Sequence, residues 1–274
     1  SSAASVVYKR LVWVLETKRR QNVLQPTDTI VTTLVTSGLV RHIGEKYGLN
    51  VIDGLQVGFK WIGRTIDDIG PEHFVFGCEE SHGYLAGTHV RDKDASVAAL
   101  LLAELAAELK AQEKTLHQKL DDLFCMHGCH LERQVAIKLP GAAGMDRMRE
   151  IMAGLRANPP TELGGLAVRR TRDYGQLKVH DPEQGEMPLK GEQGDLVIFD
   201  LVDPEGTGEK DSRLLFPPLG NAVAARPSGT EPKIKFYLFA VSQPMSAEAL
   251  PAAKAALERR LNLLEEDLRS QVGV

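Results

Sequence analysis

Aromatic residues are scarce in this 274-residue chain, at 5% of positions, and the formal net charge is only -4. An aromatic-studded basic surface for nucleic acid, or a polybasic face for a membrane, is therefore not available on average, and no partner of either kind is expected. Long apolar runs are missing as well. The densest early stretch, residues 6–15, is broken by Lys9 and Arg10, so neither a bilayer span of about 18 residues nor a signal peptide is expected. Cysteine is rare: Cys78, Cys125 and Cys129 are too few, and odd in number, for a disulfide framework. That usage points to a reducing compartment, and a cytoplasmic location is expected. What is present, 43% hydrophobic and 26% charged, suits a globular chain whose length allows one large domain or two of ordinary size.

Periodicity divides the chain into two textures. Val7, Leu11, Val14 and Leu15 recur at helical spacing, Thr29 to Val35 is a β-branched run of strand length, and residues 37–47 form a helix face stopped at Gly48. A helix over about 60–68 follows, then a strand at 73–76 that runs into Gly77-Cys78-Glu79-Glu80-Ser81-His82-Gly83. Asp94 caps a helix over about 96–110 with the apolar stripe Ala98, Leu101, Leu102, Leu105 and Leu109. Alternating α and β predicts an α/β domain over residues 1–125, with a mixed open sheet flanked by helices. Past Gly128 the pattern changes to strands at 135–139, 166–170, 196–202, 221–225 and 233–241, with helices around 148–155 and 246–270. This predicts an α+β domain over residues 126–274, with an antiparallel sheet packed on helices.

Two polar loops carry chemistry. Arg226-Pro227-Ser228-Gly229-Thr230-Glu231-Pro232-Lys233 lies between strand signals. There, glycine would free the backbone to turn amides inward, two hydroxyls can donate, and an arginine can grip two oxygens, as in a phosphate nest. A plain hairpin turn uses the same residue types. In the first domain Glu79, Glu80, Ser81 and His82 offer adjacent acceptors and a hydroxyl, suited to vicinal hydroxyls of a sugar or to a merely solvated acidic loop. Arg91-Asp92-Lys93-Asp94 sets a lysine among carboxylates, able to move protons or to join a solvated salt-bridge network.

Taken together with Thr36-Ser37 and Gly58-Phe59-Lys60-Trp61-Ile62-Gly63, these motifs resemble, in order and spacing, the C-terminal half of the α-D-phosphohexomutase superfamily. The resemblance is to the phosphoglucomutases and phosphomannomutases, most closely the phosphopentomutase and glucose-bisphosphate-synthase-like branch. It implies that residues 1–125 are the third and 126–274 the fourth of four domains around one cleft. By motif position it assigns Glu79, Ser81 and Arg91 to substrate binding, Phe59 and Lys60 to a loop that orients the sugar, and Lys93 to general acid/base catalysis. Arg226, Ser228, Gly229, Thr230 and Lys233 become the clamp for the non-reacting phosphate. Ala95, where the family usually has glycine, and His82, at a variable position, depart from the pattern without removing a charge.

The family's phosphoserine loop and Asp-rich Mg²⁺ loop do not occur in this sequence. No cofactor is therefore expected in this chain, although Mg²⁺ is implied for a full-length enzyme. The implied partners are a hexose or pentose phosphate and the N-terminal half of the enzyme, on the same or a separate polypeptide. The expected function is half of a phosphosugar mutase, inactive by itself, with a non-catalytic sugar-phosphate binding or regulatory module as the alternative. Cys125-Met126-His127-Gly128-Cys129-His130 lacks the second ligand pair of a structural zinc site, and is expected to be an interdomain link with partly buried thiols. Trp13 and Trp61 are expected to pack.

Overall fold

The first helix, α1 (Ala3–Arg20), is buried on every side through residues 7–15 in the computed structural model, which describes residues 3–202 and 220–273. A helix with no solvent face has to lie between other elements. Here those are α4 (Ala95–Ala111) and α5 (Leu116–His127), α2 (Leu39–Lys46) and the sheet. Trp13 packs on Leu105 and Leu109, and its indole donates to Glu104 Oε2 at 3.2 Å. The sheet has the order β2-β1-β3-β4, from β1 (Thr29–Thr33), β2 (Asn50–Leu55), β3 (Phe74–Glu79) and β4 (Gly83–Leu85). The first three strands are parallel and β4 folds back antiparallel on β3, so the sheet is mixed and open, as expected.

The helix α3 (Phe59–Ile69) crosses from β2 to β3, and a one-turn 3₁₀ helix (Pro71–His73) leads into the strand. Its Phe59, Ile62 and Ile66 meet Val31, Phe74 and Leu85, each side chain contributing about 1.5–3 kcal/mol by leaving water. Asp94 caps α4, its carboxylate accepting from Val97 N at 2.9 Å, as the sequence suggested.

Besides the short strands, two elements of the first unit were not read from the sequence. The strand β2 contains Asp53 and Gly54, residue types that strands disfavour. It forms because its backbone pairs with buried β1 and because Arg41 of α2 holds the buried Asp53 carboxylate, Nε to Oδ2 at 2.6 Å. Helix α5 begins with a capping box between Thr115 and Gln118 and continues through Cys125, Met126 and His127. The expected link is helical in its first half: these three residues are the last helical turn, closed by Gly128 at φ 94°, the two units divide just after, between Cys129 and His130, and of the two thiols Cys125 is partly and Cys129 fully buried.

The chain forms two compact units, one of Ser1–Cys129 with Gln243–Pro251, the other of His130–Ser242 with Ala252–Val274. The second unit contains β5 (His130–Lys138), α6 (Gly144–Ala157), β6 (Glu162–Leu163), β7 (Leu166–Asp173), β8 (Lys178–Asp181), β9 (Gly185–Pro188), β10 (Val197–Leu201), β11 (Ala222–Pro227), β12 (Lys233–Val241) and most of α7 (Leu250–Val272). Among the described residues its strands pair antiparallel in the order β5-β12-β11-β10-β7-β8-β9, with β6 on β7. Met148, Ile151, Met152 and Leu155 form the buried face of α6, as their spacing requires.

One charge group sits inside this sheet. Arg172, wholly buried, reaches Asp200 Oδ1 at 2.6 Å, and Arg170 reaches Oδ2 at 2.6 Å. Burial pushes the Asp200 carboxyl up, but the two guanidinium groups outweigh it and hold the carboxyl below its ordinary value. Removing the carboxylate would strand a buried cation, so Asp200→Asn is expected to cost about 3–5 kcal/mol in chemical denaturation. Because a lowered folded-state pKa gives stability that is present above the unfolded value, near 4, and lost as pH falls, this cost should shrink below about pH 4.

Candidate functional site

In an open parallel sheet, ligands meet the carboxyl ends of strands where the connections leave in opposite directions. In the first unit that point lies between β1 and β3, since α2 leads from β1 to β2 on one side and α3 returns past β1 to β3 on the other. The turn after β3 carries Glu80, Ser81 and His82. Glu79 and Gly83 face each other across the β3–β4 hairpin, and a Cβ on Gly83 would lie 2.5 Å from Glu79 Cγ, so only glycine leaves room for the buried Glu79 side chain. His82 closes the turn in the left-handed region, φ 64°. Thr33, at the end of β1, bonds Thr36 Oγ1 at 2.9 Å and donates to Glu80 Oε2 at 3.4 Å, while Ser81 is exposed. The turn therefore has an anchored shoulder and an open hydroxyl.

The loop before α4 closes on the same strand ends. Lys93 Nζ stands 5.1 Å from the centroid of the Phe59 ring and donates to Asp92 Oδ1 at 2.7 Å, which holds the Asp92 carboxyl below its ordinary range. Phe59 and Lys60 form the first turn of α3 and not a loop, which corrects the expectation. Gly58, at φ 127°, precedes them as the cap, and Phe59 is a core side chain beneath Lys93. Lys60 is exposed, with its ammonium over the Trp61 ring at 5.2 Å. The Arg91 guanidinium is engaged by Asp67 Oδ1 at 2.6 Å and by the carbonyls of Thr88 and Val90. Helix α3 approaches this loop so closely that a Cβ on Gly63 would lie 2.5 Å from Arg91 O.

In the second unit Arg226 through Lys233 form the β11–β12 hairpin. Gly229 is not in the left-handed region, so the amide-turning glycine expected from the sequence is not what shapes the loop. Ser228 Oγ does so by accepting from the amides of Thr230 at 3.5 Å and Glu231 at 3.3 Å, while Ser228 N donates to Lys233 O at 2.9 Å. Gly229 instead leaves open space, since a Cβ there would meet nothing within 4 Å.

Strand pairing adds cations that motif reading missed. Arg226 faces Lys235 and Lys233 faces Lys138, and as 233 and 235 alternate along β12, all four side chains share one sheet face. Like charges in such register repel. Glu231 lies against them, bonded by Lys233 Nζ at 2.6 Å, and this contact with the field of Lys138 and Lys235 lowers its carboxyl. Among the described residues the Arg226 side chain has no ion-pair or hydrogen-bond partner. The i, i+2 spacing of Lys233 and Lys235 was visible in the sequence, but the part played by Lys138 depends on the pairing of β5 with β12.

Among the described residues no group of three or more His, Cys, Asp or Glu is disposed to hold a metal ion. No helix of the described residues is long and apolar enough to cross a membrane.

Comparison with known proteins matches residues 9–125 to the family model for phosphoglucomutase/phosphomannomutase, alpha/beta/alpha domain III. A phosphoglucomutase of Staphylococcus epidermidis strain RP62A is 32% identical over 214 residues, covering 78% of this chain and 36% of the relative. One from Staphylococcus aureus strain N315 is 33% identical over 211 residues, covering 77% of this chain and 34% of the relative. The chain thus spans about a third of the length of the curated relatives it matches. Alignments of this length extend beyond residue 125 into the second unit. The open form of the Paramecium phosphoprotein pp63/parafusin, a phosphoglucomutase, shares the fold at a TM-score of 0.56 and 16% identity, over 100% of this chain and 42% of its own.

The repelling cations give a prediction with two signs. Lys235→Met is expected to stabilise the ligand-free chain by about 0.5 kcal/mol at low salt, read by thermal unfolding, and at the same time to weaken its binding of inorganic phosphate. A purely structural lysine would not lose phosphate affinity.

Proposed function

We propose a function from the premise that this chain belongs to the phosphohexomutase superfamily and carries its C-terminal domains. In this reading it is the sugar- and phosphate-binding half of a phosphosugar mutase, an isomerase that moves a phosphoryl group between positions of a hexose or pentose phosphate through a bisphosphate. The observation that carries the reading is the cationic face of Arg226, Lys233, Lys235 and Lys138 beside the hydroxyls of Ser228 and Thr230.

Arg226 and the lysines hold the non-reacting phosphate, and the space over Gly229 admits it. When an anion takes the amides of Thr230 and Glu231, it replaces the weak internal bonds they make to Ser228 Oγ. Glu79 and Ser81 read sugar hydroxyls from the β3–β4 turn. Lys93, supported on the Phe59 ring and oriented by Asp92, moves a proton to or from the sugar oxygen at which the phosphoryl bond breaks or forms. Lys60, exposed at the start of α3, helps to orient the sugar, and Arg91 serves by holding the loop in place. The phosphoryl donor and Mg²⁺ come from the N-terminal half. Cytoplasmic location follows from the same reading, as sugar phosphates are its substrates.

Calorimetric titration with glucose 1-phosphate is expected to show binding by the chain, weakened about tenfold or more in Arg226→Ala. Addition of a separately expressed N-terminal half is expected to restore interconversion of the 1-phosphate with the 6- or 5-phosphate. Absence of binding by the folded wild-type chain would overturn the reading. Binding without restored turnover would favour a non-catalytic sugar-phosphate module.

A further inference from the structure

Within the buried stretch of α1 two adjacent residues are cations, Lys9 at 6% and Arg10 at 8% exposure. Burial, and then the neighbouring Arg10, lower the Lys9 ammonium from its ordinary value. Arg10 Cζ lies 4.5 Å from the centroid of the Tyr84 ring, and Arg10 Nε has no hydrogen-bond partner. A desolvated guanidinium without a full set of acceptors is costly, and the face of an aromatic ring offsets part of that cost. The two groups therefore hold one another.

Tyr84 touches both first-unit loops. It faces Cys78 in the β3–β4 hairpin, next to the Glu79–Gly83 pair that bounds the turn carrying Ser81. Its carbonyl accepts from Asp94 N at 2.8 Å, which fixes the end of the loop carrying Lys93. Movement of Tyr84 would displace the turn and the loop together.

We propose that Arg10 is a positioning residue: by clamping the Tyr84 ring from α1 it holds the turn of Glu79 and Ser81 and the loop of Lys93 in fixed relation. The mechanical part stands on geometry alone, whereas its consequence for sugar-phosphate binding rests on the proposed function. Three variants test it: Arg10→Met removes the charge, Arg10→Lys keeps it, and Tyr84→Leu removes the ring while leaving Arg10.

By NMR hydrogen exchange, Arg10→Met and Tyr84→Leu are expected to speed exchange of the Asp94 amide about tenfold relative to amides of β1, with Arg10→Lys between them and wild type. Glucose 1-phosphate affinity is expected to fall in the same order. Uniformly faster exchange across the unit would mark a merely structural residue and overturn the proposal, as would unchanged Asp94 exchange in either variant that folds. If Asp94 exchange responds as expected but wild type binds no glucose 1-phosphate, the clamp stands and the sugar-phosphate reading falls. Should Arg10→Met not fold, Arg10→Lys and Tyr84→Leu decide by the same comparison.

Discussion

The first unit depends on one topological constraint, the central position of β1 in a parallel sheet. Parallel neighbours cannot be joined by a tight turn, so each strand must return by a helical crossover. One crossover carries the chain to β2 on one side of β1, and the next carries it to β3 on the other. The carboxyl ends of the strands are thereby brought to one edge, where no connection passes between β1 and β3. Four residues of the first-unit site are positioned from that edge: Thr33 from β1, Phe59 from the start of α3, and Glu79 and Ser81 from the end of β3. Lys93 joins them because the backbone of Tyr84 binds that of Asp94.

The second unit holds two charge groups with opposite logic. Asp200 lies between Arg170 and Arg172, its two oxygens each taken by a guanidinium, so the carboxylate is fully engaged within the sheet and serves the fold. At the β11–β12 hairpin Arg226, Lys233, Lys235 and Lys138 face the same way with Glu231 against them. An arrangement of that kind gains from an external anion and loses stability without one. The physical difference is whether the counter-charge lies within the chain. It separates an ion pair that supports a sheet from a cationic face whose charges are largely uncompensated.

Much of the architecture was legible because apolar periodicity is a local property. Val7, Leu11 and Leu15, or Met148, Ile151, Met152 and Leu155, define a buried helix face wherever the helix goes. The strand β2 was not legible, since Asp53 and Gly54 weaken its signal and only Arg41 of another element makes the buried carboxylate tolerable. The last turn of α5 was not legible in Cys125, Met126 and His127 themselves, because the box that starts the helix lies ten residues upstream at Thr115. Gly229 misled in the opposite sense. Glycine in a turn invites a left-handed conformation, yet here the serine beside it folds the loop and the glycine supplies room.

The amino-acid order alone determined the two textures of the chain, most of its helices and strands, and the chemical types in both polar loops. These follow from interactions among neighbours in sequence, and the spacing of the loops was sufficient for a family resemblance. Only the tertiary structure decided which of those groups stand together. That Lys93 rests on the Phe59 ring, that Lys138 joins Arg226, and that Arg10 clamps Tyr84 each depend on strand register or helix packing across many residues. Such pairings are set by the burial of whole elements, which no local pattern encodes.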